Sequence, residues 1–217
     1  MPTHADVIAA VQAGDAGKIR SLLQDDPSLA AAKDASGVSA LMFAFYYRRP
    51  EIADLLLAAK PELDIFEATA AGKADKVSKI LEKDPESAKH GSADGFTGLH
   101  LAAFFGRPEI ARILIRNAAD VSAVSKNPMK VAPLHSAAAA HNREIVRLLL
   151  ENDAPADVKQ EGGWTPLHEA AQIGDVEMTR DLLQHRADPK ARSNDGKTPA
   201  EMAAAKGHEE IVKLLSK

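Results

Sequence analysis

Apolar positions in this chain fall into short stripes at helical spacing, and the stripes come in pairs. The clearest pair starts at Gly163-Trp164-Thr165-Pro166-Leu167-His168-Glu169-Ala170-Ala171, followed by Gly174. Thr165 suits a helix N-cap and Pro166 the first helical position, where a missing N–H costs nothing. Leu167, Ala170 and Ala171 then form a narrow face of small residues that lets another helix approach closely. Gly174 can end the helix in the left-handed conformation. Beyond it, Met178, Leu182 and Leu183 mark one face of a second helix. Neither helix can bury its stripe alone, so pairs of this kind must stack on one another.

The pattern returns seven times. Taking Leu167 as anchor, its equivalents are Val7, Leu41, Ile65, Leu99, Leu134 and Ala200, separated in chain order by 34, 24, 34, 35, 33 and 33 residues. The units are placed at about 4–33, 34–63, 64–91, 92–121, 122–157, 158–190 and 191–217, one continuous domain over 1–217. With Gly95-Phe96-Thr97-Gly98-Leu99-His100, Ala132-Pro133-Leu134-His135 and Gly196-Lys197-Thr198-Pro199 as the other strong copies, the chain resembles the ankyrin repeat family. The outer-helix strings Glu144 to Leu150 and Glu210 to Leu215 match as well. The likeness is greatest to small, free-standing bacterial ankyrin proteins. It implies an all-α solenoid with short hairpin or loop fingers and a concave face that binds other proteins. It implies no chemistry and no particular partner.

The departures from regularity are informative. The first unit lacks a finger phrase before it, and its first helix is interrupted by Asp6. The last unit, with Ala200, Glu201, Lys206, Glu209 and Lys213, reads as a polar cap. The step of 24 into unit three is about nine residues short, and the missing part is the finger. Asp64 can cap the incoming helix and Pro61 can stop the outgoing one, so a gap in the finger row is expected. The fifth finger, Ser125 to Val131, is about two residues long, with Met129 near its tip. It reads as a tolerated insertion or a contact loop. Arg48 and His141 replace the helix-ending Gly, which predicts strained or reshaped helix ends.

Charge and composition narrow the function. A net charge of −4 and a pI near 6.1 give no reason to expect nucleic acid or an anionic membrane. No cysteine is present, which excludes disulfides and Cys-based metal sites, and no apolar run approaches a transmembrane span. A soluble, cytoplasmic monomer without cofactors is the expectation. There is no nucleophile–base pair, no H-E-x-x-H and no glycine-rich phosphate motif, so an enzyme reading has no support. His100, His135 and His168 share one slot, where by resemblance the imidazole fastens a finger to the helix. They lie about one repeat apart, too far to share a metal ion. Arg107, Arg112, Arg116, Arg143 and Arg147 gather on outer helices amid Glu109, Glu144 and Glu151, which reads as a solvated face.

Aromatic residues are only 4% of the chain, and their placement is selective. By resemblance, the residue after the finger Gly and the pair before the helix-ending Gly point into the concave face. Tyr46, Tyr47, Phe96, Phe104, Phe105 and Trp164 occupy such slots, six of the nine aromatics, while Phe43, Phe45 and Phe66 sit at or beside core positions. These six are the expected partner-binding residues, since exposed apolar patches mark interaction sites and Trp and Tyr often dominate binding energy. The expected groove has Ala70 and Ala71 as floor, with aromatic walls. Two alternatives stay open: a small molecule or metabolite held in that groove, or self-association through it. A further reading has Tyr46 and Phe104 packing inward to fill the irregular junction at unit three.

Overall fold

A computed structural model describes residues 2–60 and 62–216. Among them fourteen α-helices form seven antiparallel pairs. The inner helices are α1 (His4–Ala13), α3 (Ala40–Tyr46), α5 (Ile65–Ala70), α7 (Gly98–Phe104), α9 (Pro133–Ala139), α11 (Pro166–Ile173) and α13 (Pro199–Ala205). The outer helices are α2 (Ala16–Asp25), α4 (Pro50–Ala59), α6 (Ala74–Lys83), α8 (Pro108–Arg116), α10 (Arg143–Glu151), α12 (Val176–Gln184) and α14 (Glu209–Leu215). The fingers are turns. Those of units two and four each carry one antiparallel bridge, Lys33 to Ser39 and Gly91 to Thr97, and no strand occurs among the described residues. Val7, Leu41, Ile65, Leu99, Leu134 and Leu167 are buried, whereas Ala200 is half-buried in the last unit beside the exposed Glu201, Lys206, Glu209 and Lys213.

Helix ends follow from local chemistry. Asp6 does not interrupt α1. Its Oδ2 accepts from the Thr3 backbone N–H at 2.8 Å while Thr3 Oγ1 accepts from Asp6 N–H at 3.3 Å, so the carboxylate starts the helix. Asp64 and Glu67 close the same reciprocal box on α5, at 2.8 and 3.1 Å. At the other end of the inner helices, Gly174 has φ 83°, and a Cβ there would lie 2.6 Å from the His208 ring. That ring donates from Nε2 to the Gln172 carbonyl at 3.1 Å, and the Arg107 Nη2 donates likewise to Ala70 O at 2.9 Å. Arg48 and His141 keep the left-handed turn that glycine makes elsewhere, with φ of 52° and 56°. These ends are strained rather than reshaped, at about 1–2 kcal/mol each.

The stack has a seam at the unit without a finger. One buried cluster runs through units one and two and another through units three to seven, with the half-buried Leu63 packed against both. Pro61 lies outside the described residues, so its expected role as a helix stop is not described. Lys60 reaches Glu67 at 2.5 Å, an ion pair in which Glu67 is almost wholly buried. A small third cluster of Val38, Met42, Ala70 and Leu101 bridges the two blocks. Phe43, Phe45, Tyr46, Phe66, Phe96 and Phe105 pack around it. The expected gap in the finger row is closed. A Cβ on Gly37 in finger two would stand 3.3 Å from the Ala93 Cβ in finger four. Only a cleft of about 140 Å³ remains there, lined in part by Asp64 and Phe66. Tyr46 accounts for the closure: from unit two its hydroxyl donates to Asp94 Oδ2 in finger four at 2.5 Å.

Candidate binding groove on the concave face

The histidine slot rigidifies the finger row. In α7, α9 and α11 the imidazole Nδ1 accepts the backbone N–H of the residue before the helix, from Thr97 and Ala132 at 3.2 Å and from Thr165 at 3.1 Å. The Thr97 and Thr165 hydroxyls point at the same nitrogen, at 2.8 Å in both. Because Nδ1 accepts, Nε2 carries the proton. It donates to a carbonyl of the following unit's finger: Val131 from His100 at 2.9 Å, Trp164 from His135 at 3.0 Å and Lys197 from His168 at 3.1 Å. The finger fastened is thus the next one along the stack. Burial lowers the pKa of all three imidazoles, His135 to about 4.

The fingers also bond edge to edge. Lys126 N–H donates to Gly95 O at 2.8 Å, Glu161 N–H to Met129 O at 2.9 Å and Asn194 N–H to Gly162 O at 2.8 Å. Gly95 permits this approach, since a Cβ there would lie 2.9 Å from the Asn127 nitrogen. Within the long fifth finger, Asn127 Oδ1 accepts from Met129 N–H at 3.1 Å and Ser125 Oγ from Val131 N–H at 3.0 Å. This finger is braced on both sides, and it presents Met129 at 56% exposure.

Beside it lies an apolar groove of about 450 Å³. Tyr46, Phe96 and Phe104 line it together with Met129 and Val131, over Leu101, Ser136 and Ala139 of α7 and α9; Asp94, Gln160 and Glu169 supply polar groups. The groove therefore sits over units four to six, not over Ala70 and Ala71. Ala70 is fully buried in the seam.

The six expected aromatic anchors separate into distinct environments. Tyr46, Phe96 and Phe105 are half-buried in the seam, with Tyr46 stacked on Phe105 at 5.7 Å. Phe104, at 47% exposure, stands edge-on to Phe105 at 5.1 Å and projects into the groove. The inward packing considered for Tyr46 and Phe104 therefore holds for Tyr46 alone. Tyr47 is 46% exposed but stacks on Phe43 outside the groove lining. Trp164 is half-buried against His168 at 6.2 Å, also outside that lining. Sequence reasoning passes over Leu101, Ser136 and Glu169, which share one slot, two residues after the anchor. A signal exists: the slot precedes Phe104, Ala139 and Gln172 by three residues, so both slots lie on one helix face.

The outer arginines are engaged. Arg112 meets Glu144 at 2.8 Å, Arg147 meets Asp181 at 2.7 Å and Arg180 meets Glu210 at 3.2 Å, each bridging neighbouring units. Among the described residues no group of three or more His, Asp or Glu side chains could hold a metal ion. No helix there is long and apolar enough to cross a membrane.

A family model described as ankyrin repeats (3 copies) matches residues 65–161 and 134–217. Over 94 residues the chain is 36% identical to a probable E3 ubiquitin-protein ligase of rice, a stretch covering 43% of this chain and 21% of that protein. It is 31% identical over 102 residues to the rat ankyrin repeat and SAM domain-containing protein 6, covering 47% and 11% respectively. Identity to the human BCL-6 corepressor-like protein 1 is 32% over 98 residues, covering 45% and 5%. The matched stretches thus span at most about a fifth of these relatives. All three are eukaryotic, and the expected likeness to bacterial proteins finds no support among them. Seven helix pairs on one slot pattern, matched over most of their length by the repeat family, place the chain in the ankyrin repeat family, a family of protein–protein interaction modules.

Proposed function

We propose that the protein is a non-enzymatic, monomeric binding module that takes a partner protein into the groove between Phe104 and Met129. The observation carrying this reading is economy of exposure. Only four large apolar side chains among the described residues are exposed, and two of them, Phe104 and Met129, line the same groove. Tyr46 and Phe96 shape its lining and Phe105 supports Phe104 from behind. Tyr47 and Trp164 extend the surface toward units two and six. Because the fingers are fastened to the helices and to each other, little ordering entropy remains to be lost on binding. The groove volume is also in the range of small-ligand sites, which favours a small apolar molecule as the second reading. Affinity capture from source-cell lysate with wild type and a Phe104→Ser/Met129→Ser variant of unchanged helicity tests the proposal. A protein held by wild type and lost from the variant is expected, and equal retention overturns the reading.

A further inference from the structure

We infer that the groove takes a polypeptide segment pairing an apolar side chain, seated between Phe104 and Met129, with a lysine or arginine whose cation meets the Glu169 carboxylate. This rests on the groove reading above and gives its occupant a chemistry. Charge is one-sided in the lining: among the described residues it holds the carboxylates of Asp94 and Glu169 and no lysine or arginine. The lining imidazoles, His100 and His135, have both ring nitrogens committed and are kept neutral by burial. Lys130, next to Met129, is paired with Glu161 at 3.5 Å.

The two carboxylates differ in how well they are satisfied. Asp94 receives the Tyr46 hydroxyl on Oδ2 and the Ser92 hydroxyl on Oδ1. Glu169, on α11, receives one donor, Gln160 Nε2, at 3.1 Å on Oε1, and among the described residues nothing donates to Oε2. Half-burial pushes this carboxyl up, with only the Gln160 bond and the exposed His141 acting against that. A cation delivered by the occupant restores the missing donor and the missing charge together. An acidic segment meets two carboxylates instead.

The span argues for a chain rather than a compact molecule. Phe104 and Glu169 belong to α7 and α11, two inner-helix steps apart with α9 between them. At about 8–10 Å per packed helix the separation is roughly 16–20 Å, the reach of about five or six extended residues.

The test is selection of a displayed library of random peptides, about twelve residues long, on the full chain. Binders are then measured by fluorescence anisotropy against wild type, Phe104→Ala and Glu169→Gln, each checked for unchanged circular dichroism. Lysine or arginine is expected to be enriched beside Leu, Met or Phe, with roughly tenfold weaker binding to Glu169→Gln and a smaller deficit at high salt. Binders that need Phe104 but carry no basic residue, or bind Glu169→Gln as tightly as wild type, overturn this inference and leave the groove reading standing. A selection yielding no Phe104-dependent binder overturns both.

Discussion

Removing one oxygen atom at Tyr46 should loosen two units from the other five. Its hydroxyl runs from unit two to Asp94 in finger four, past the unit that has no finger, at 2.5 Å. Burial foremost, then the Asp94 hydrogen bond and charge, holds the phenol far above its ordinary pKa, so it stays a donor throughout the working pH range. A hydrogen bond to a charged acceptor contributes about 1.5–3 kcal/mol. Here the low end applies, because the Ser92 hydroxyl still serves the other Asp94 oxygen when the phenol is gone. Tyr46→Phe is therefore expected to cost about 1.5 kcal/mol while leaving the ring stack on Phe105 intact. The slope scales with the surface exposed, so for a block of two units it is about 1 kcal/mol per molar, and the midpoint of the affected units falls by about 1.5 molar. The single tryptophan makes this legible, since Trp164 reports on unit six alone while far-ultraviolet circular dichroism reports on every helix. In Tyr46→Phe the dichroism transition should begin at lower urea than the fluorescence transition, whose midpoint stays near the wild-type value. Coincident transitions, or midpoints unchanged from wild type, refute the claim that this bond couples the two blocks.

Two further outcomes follow from buried polar groups. The His135 imidazole titrates at about 4 in the folded chain against an ordinary 6.5, so the unfolded chain binds more protons between those values. Its contribution, about 3 kcal/mol, is fully present above pH 6.5 and lost as pH falls toward 4. His100 and His168 act in the same direction, while the raised carboxyls of Asp64 and Glu169 oppose them. Urea midpoints measured from about pH 7.5 to 4.5 should fall less steeply for His135→Gln than for wild type, and parallel curves refute the assignment. Thr69 is fully buried in α5, and among the described residues its hydroxyl has no partner, so Thr69→Val should raise stability by about 1 kcal/mol, and a lower melting temperature would refute this.

Most of the architecture was legible because each unit carries its own punctuation. The anchors from Val7 to Leu167 are buried where the repeat pattern places them, and the shortened step before Ile65 is a missing finger. The site was less legible. A slot rule gives direction but not depth: it holds for regular stacking, and at the seam half of the six chosen aromatics sink between the two core blocks. The closed finger row depends on Tyr46 reaching Asp94, 48 residues away, a contact no local pattern announces. That each histidine fastens the following finger depends on the order of stacking, which periodicity does not supply. Asp6 misleads because, taken singly, a charge in an apolar stripe looks like a break; with Thr3 it is a helix start.

The histidine slot carries one more consequence. Each imidazole reads a main-chain carbonyl, and the residues supplying it are Val131, Trp164 and Lys197, one aliphatic, one aromatic and one cationic. The clamp is blind to the side chain it passes under. Substitution on the rim is thereby uncoupled from the strength of the scaffold, so the surface can be rewritten one finger at a time while the stack is held by groups that every residue possesses.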